Sequence, residues 1–145
     1  MGTRADYYVC TGDGPEGLEW IGSTAYDGHP EWFGRFAPGA RARTESGFRR
    51  AVAKRCRAED GTTPDMGWPW PWDDSTTTDY AYIFNGHRVF FSNFGRRLLT
   101  LDEVINGADD GDEKLKDFFP DMSAKRAIAA PGSNRSGILV VGDMS

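Results

Sequence analysis

The side chains best suited to chemistry in this sequence are charged and aromatic rather than nucleophilic. The stretch "RARTESGFRRAVAKRCR" sets Arg41, Arg43, Arg49, Arg50, Lys54, Arg55 and Arg57 against a single acid, Glu45. Guanidinium groups carry forked donors that match carboxylates and phosphates, so the block suits an acidic protein surface or a phosphate backbone. The same charges also suit a solvated helix face, neutralised by acids elsewhere in the chain. The second cluster is "GWPWPWDD", in which Trp68, Trp70 and Trp72 alternate with Pro69 and Pro71 and run into Asp73 and Asp74. Tryptophan and arginine are common anchors of protein interfaces, and paired carboxylates beside aromatic rings would suit glycoside chemistry. The candidate partner-binding residues are therefore Arg49, Arg50, Lys54 and Arg57 in the basic block and Trp70, Trp72, Asp73 and Asp74 in the ladder.

Catalytic constellations are sparse. The histidines are His29 and His87 and the cysteines Cys10 and Cys56, none of them in a nucleophile, phosphate-loop or zinc-ligand motif. A hydrolase or transferase built on Asp73, Asp74 or a Cys–His pair would need the fold to bring these groups into one cleft. The acidic run Asp109, Asp110, Asp112 and Glu113 lacks the alternating ligand spacing of a calcium loop and fits a solvated turn. The two cysteines read as free, small hydrophobes, and no catalytic residue, metal or cofactor is expected.

The elements that must position these groups follow from local pattern. At 145 residues, with 39 % apolar, 27 % charged and 13 % aromatic side chains, the chain suits a single domain with an aromatic core. "RADYYVCTG" and "LEWIGSTAY" read as two antiparallel strands, with Tyr7 and Val9 on one face of the first and Tyr8 and Cys10 on the other. Residues 30–43 read as a loop or short irregular helix anchored by Trp32, Phe33 and Phe36. Thr44 or Ser46 can cap a helix running to about Ala58, with Phe48, Ala51, Val52 and Cys56 as its apolar stripe and Arg49, Arg50, Lys54 and Arg57 outward.

Asn85-Gly86, between two β-rich runs, suits a type I′ hairpin turn. That register pairs Phe84 with His87, Tyr82 with Val89 and Tyr80 with Phe91 on an aromatic face, and Ile83 with Arg88 and Ala81 with Phe90 on the other. "LDEVIN" and "DEKLKDFF" read as short helices capped by Thr100 and Asp112, and Ile138 to Val141 as a last strand. The expected fold is α+β: one domain, a mainly antiparallel sheet with an NG hairpin, and two to three short helices packed on it. Proline holds the ladder extended and removes backbone donors, so it cannot be an interior strand. Its rings are expected to lie as a lid over the hairpin's aromatic face, and the fold decides whether one of them stays exposed for a partner.

The net charge of −5 is unevenly spread. Residues 1–60 carry nine acidic and nine basic side chains, whereas residues 61–145 carry thirteen and eight. A positive block on an acidic chain favours a macromolecular partner, while an isoelectric point near 5.0 argues against general nucleic-acid binding. "MGTRADYY" lacks the apolar core of a signal peptide and no run reaches transmembrane length, so a cytoplasmic location is expected.

"MGTRADYYV", "EWIGSTAYDGHP", "GWPWPWDDS" and "TTDYAYIF" together resemble a group of small uncharacterised proteins of bacteriophages, prophages and bacterial genomes. The resemblance covers residues 1–30 and 67–95 and carries no activity or site residue. It implies a setting: a cytosolic accessory protein of phage type. The expected function is a non-enzymatic binding protein that docks on a host protein or nucleoprotein complex, for example an inhibitor of host defence in the manner of an anti-CRISPR. The small hydrolase or transferase and a structural virion component are the alternatives.

Overall fold

A computed structural model describes residues 3–11, 17–32, 35–37 and 39–129. Strand β1 (Ala5–Cys10) is buried on both faces as far as Val9, which makes it a central strand. It pairs antiparallel with β2 (Leu18–Thr24) and parallel with β5 (Tyr80–Phe84), which in turn pairs antiparallel with β6 (Val89–Asn93). The sheet order is β2-β1-β5-β6. The mainly antiparallel α+β expectation therefore holds, with one parallel pair at the centre. The segment read as a loop or short irregular helix instead contains a small antiparallel pair, β3 (Glu31–Trp32) and β4 (Arg35–Phe36). Phe33 and the last predicted strand, Ile138 to Val141, lie outside the described residues, as do the side chains of Trp32 and Phe36.

Both faces of the sheet are covered, by different means. Helix α1 (Glu45–Ala58) starts at Thr44, whose hydroxyl accepts from the Gly47 amide, and lays Phe48, Val52 and Cys56 on one face. There they meet Ala5, Tyr7, Val9, Tyr82, Phe84, Val89 and Phe91. Phe48 stacks on Phe84 at 5.6 Å, and Tyr82 makes edge contacts with Tyr7 and Phe91 at 4.8 and 4.9 Å. The alternation read from "DYYVC" is observed, because Tyr8 and Cys10 fall on the opposite face with Leu18, Trp20, Ala81 and Ile83. Helix α2 (Leu101–Ile105) has the expected Thr100 cap, completed into a capping box by Glu103. No described helix is long and apolar enough to cross a membrane.

Three expectations need correction. The hairpin pairs Phe84 with Val89, Ile83 with Phe90, Tyr82 with Phe91 and Ala81 with Ser92, two residues away from the expected register. Gly86 (φ 103) and His87 are the central residues, and Asn85 stays at the turn's edge, where its side chain accepts from the His87 and Arg88 amides. Glycine at the first central position is the II′ pattern rather than I′. A slip of two preserves which face each side chain occupies, so the aromatic face survives. Gly86→Ala should cost about 1 kcal/mol in urea unfolding, since the added methyl meets nothing within 4 Å and only the positive φ opposes it. A loss of several kcal/mol would show that the turn is packed.

The "DEKLKDFF" segment is not a helix. Lys114 bridges to Arg96, the Leu115 amide donates to the Gly95 carbonyl, and Asp117 takes a left-handed φ of 66. Long-range backbone pairing outweighs the local helical pattern and delivers Phe119 to the second face of the sheet. The tryptophan ladder, finally, covers that second face. The Tyr82 and Phe84 face expected to lie beneath it is already taken by α1.

Candidate functional site

The ladder is built into the molecule through its indole nitrogens. Trp68 is fully buried and packs edge-on against Trp20 at 5.3 Å, with its Nε1 donating to the Trp72 carbonyl at 2.6 Å. Trp70 and Trp72 stack on each other at 5.5 Å, half-buried, with their N–H groups turned inward. Trp72 Nε1 donates to Thr78 Oγ1 at 2.9 Å, and Trp70 Nε1 donates to Asp6 Oδ1 at 2.7 Å. The backbone carbonyls, which no strand can pair, accept from Arg126: Nε donates to Trp70 O at 2.9 Å and Nη2 to Trp72 O at 2.8 Å. Arg4 lies over the stacked pair, its Cζ 5.9 Å from the Trp70 ring and 5.4 Å from that of Trp72.

Asp6 is the centre of this layer, and sequence patterning did not single it out. Oδ1 accepts from Trp70 Nε1 and, at 2.6 Å, from Ser23 Oγ, while Oδ2 accepts from Ser75 Oγ at 2.7 Å. Ser75 Oγ is also hydrogen-bonded to the Tyr8 hydroxyl at 2.7 Å, and Ser23 Oγ accepts from Trp20 Nε1 at 3.0 Å. Ser23 reaches this face because β2 bulges opposite Tyr7 and Tyr8: Tyr8 pairs with Trp20 and Tyr7 with Gly22, so Ile21 is the extra residue and the alternation changes phase. Burial raises the Asp6 carboxyl above its ordinary value, and hydrogen bonds from Ser23, Trp70, Ser75 and Thr78 oppose that in part. Both oxygens are engaged and the residue has no solvent exposure, so Asp6 organises the ladder and presents nothing to a substrate. A lone acid inside a strand of otherwise buried residues was the available signal.

Asp73 and Asp74 do not form a carboxylate pair at a cleft. Asp73 is exposed and accepts from Arg126 Nη2 at 2.7 Å. Asp74 caps a 3-10 turn at Ser75–Thr77 by accepting from the Thr76 amide at 3.0 Å. Each carboxylate is spent on local structure. Cys56 lies on α1 beneath the sheet, its thiol pushed up by burial, and it is not disulfide-bonded to Cys10.

The basic residues lie on the other side of the sheet, on the outer face of α1. Ladder and helix are thus two separate surfaces. Arg49 is held within the chain, donating to Glu19 at 2.7 and 3.2 Å and to Glu45 at 2.8 Å, and these bonds hold Glu19 below the usual carboxylate range. Arg50, Lys54 and Arg57 are exposed, line one shallow depression together with Gly47 and Ala51, and form no ion pair among the described residues. Arg55 turns inward and donates to the Tyr26 and Asp27 carbonyls. The acidic C-terminal half does not neutralise this face among the described residues: Asp110 pairs with Arg96 at 3.8 Å, and the Asp109 carbonyl accepts from Arg97.

No protein-family model, curated protein or solved structure matches the chain. The functional assignment therefore rests on the geometry of these two surfaces. The ladder surface is rigid and internally satisfied, whereas the α1 surface offers charge that nothing described in the chain uses. A second basic feature, also missed by sequence patterning, adjoins it: Arg41, Arg43 and Arg88 gather from the α1 approach and the hairpin tip around a pocket of about 140 Å³. Arg88 is exposed at that tip.

Proposed function

We propose that this protein is a non-enzymatic binding protein of phage or mobile-element origin that docks on a host protein or nucleoprotein complex. An inhibitor of a host defence complex, acting in the manner of an anti-CRISPR, is the form of that role that the phage-type resemblance favours. The observation that carries the docking reading is the outer face of α1. Arg50, Lys54 and Arg57 sit at i, i+4 and i+7, where like charges on one helix face repel and lower helix stability slightly. Three cations held together without a paired acid among the described residues are a standing electrostatic attraction for an acidic partner. The ladder residues Trp70, Trp72, Asp73 and Asp74 support this surface from across the sheet as scaffold, with the stacked Trp70–Trp72 pair as a secondary contact.

Affinity purification from host cells tests this reading, with wild type beside the triple variant Arg50→Glu, Lys54→Glu and Arg57→Glu. The wild type is expected to retain a partner that the variant loses, while both unfold at the same urea midpoint, because the three side chains are exposed and unpaired. Recovery of the same partners by both proteins would overturn the assignment to this face.

A further inference from the structure

The pocket beside α1 has a chemistry of its own. Its rim carries Arg41, Arg43 and Arg88 against one acid, Asp102, and its floor includes Val89 and Leu101. Arg43 and Arg88 are both exposed and, among the described residues, engage no carboxylate. The pocket neighbours the α1 depression: Ala40 on its wall follows Gly39, where an added methyl would lie 3.4 Å from the Cβ of Ala51 on the wall of the other. Six cations thus line two neighbouring depressions of a chain whose net charge is −5.

We infer that this pocket is a carboxylate-receiving subsite for an acidic polypeptide segment, which continues along Arg50, Lys54 and Arg57. The inference rests on reading this face as a partner surface and names the chemistry of that partner. Guanidinium forks match carboxylates, and an aliphatic floor suits the methylene stem of a glutamate. Nucleic acid fits less well. Single strands are held by aromatic rings on which bases stack, and neither depression is lined by one.

Fluorescence anisotropy with a fluorescein-labelled poly-glutamate peptide at low ionic strength tests the inference, with a single-stranded oligo-dT of equal charge as comparison. Wild type is expected to bind the peptide more tightly than the oligonucleotide, with an affinity that falls as salt is added. Arg43→Ala with Arg88→Ala should weaken peptide binding about tenfold, and Lys at both positions should restore part of it, since charge returns without the fork. Circular dichroism should not distinguish the variants from wild type. Unchanged peptide binding in the Ala pair would overturn the inference, as would tighter oligonucleotide binding. Self-association in light scattering that the Ala pair abolishes would overturn it too, by making a second copy the occupant. Failure of the host-cell purification alone, with the pocket variants still discriminating, would remove the docking reading and leave the carboxylate subsite in place.

Discussion

Replacing Asp6 by alanine should cost about 3–5 kcal/mol, the range for removing one partner from a buried charged network. Trp70 Nε1 and the hydroxyls of Ser23 and Ser75 all donate to this one carboxylate, and deletion takes that acceptor from all three, with the Tyr8 hydroxyl left beside Ser75. Domains of this size are stable by about 5–15 kcal/mol, so much of the total would go. Asp6→Asn makes the complementary test. Its amide oxygen can still accept from Trp70 and Ser23, and its NH₂ can donate to Ser75, so its cost should be about 1 kcal/mol. Urea unfolding followed by tryptophan fluorescence measures both. Equal losses for the two variants would sink the view that unpaired donors dominate.

The same pair of variants separates a pH effect. Burial raises the Asp6 carboxyl above the ordinary aspartate value of 3.8. Between that value and the folded one, the native chain keeps a proton that the unfolded chain releases. The contribution of Asp6 is therefore fully present below 3.8 and falls as pH rises through the folded value. Wild type should lose stability relative to Asp6→Asn over that window. Parallel pH profiles for the two proteins would show that the carboxyl is not raised.

The second large effect belongs to the first rung of the ladder. Trp68→Ala should cost about 3–5 kcal/mol, because the ring is fully buried against Trp20 and the other side chains on the second face of the sheet, and its removal leaves a cavity. Trp68→Phe retains most of the ring contacts and leaves the Trp72 carbonyl to Arg126, so about 1–2 kcal/mol is expected. Trp72→Phe, at a half-buried position, should cost less than Trp68→Ala. A Trp68→Ala protein with an unchanged urea midpoint would mean that the ladder is an applied surface strip and not a core layer.

These two predictions concern groups that stood very differently in the sequence. Trp68 belonged to the most conspicuous motif of the chain, and proline chemistry correctly excluded an interior strand. Which face of the sheet the rod covers could not be read, because that depends on where α1 goes. Asp6 was passed over as one charge in an aromatic strand. Its partners lie 17, 64 and 69 residues away in sequence, beyond any local pattern, and one of them faces it only because β2 bulges.

The basic helix was largely legible: its apolar stripe of Phe48, Val52 and Cys56 and its cationic outer face are consequences of a 3.6-residue period acting on neighbouring residues, while the choice of Thr44 over Ser46 as cap was left to the structure. The pocket of Arg41, Arg43 and Arg88 was not, since it joins the approach to α1 to a hairpin tip. Local chemistry by itself determined β1, β2, β5 and β6, the Thr100 cap, the two faces of β1, the α+β class and the charge split, because each depends on side chains a few residues apart. Only tertiary structure decided the parallel β1–β5 pair, the two-residue shift of the hairpin, the buried carboxylate under the tryptophans and the separation of the ladder from the basic face. Those features follow from which long-range surfaces fill each other, and that balance is struck over the whole chain at once.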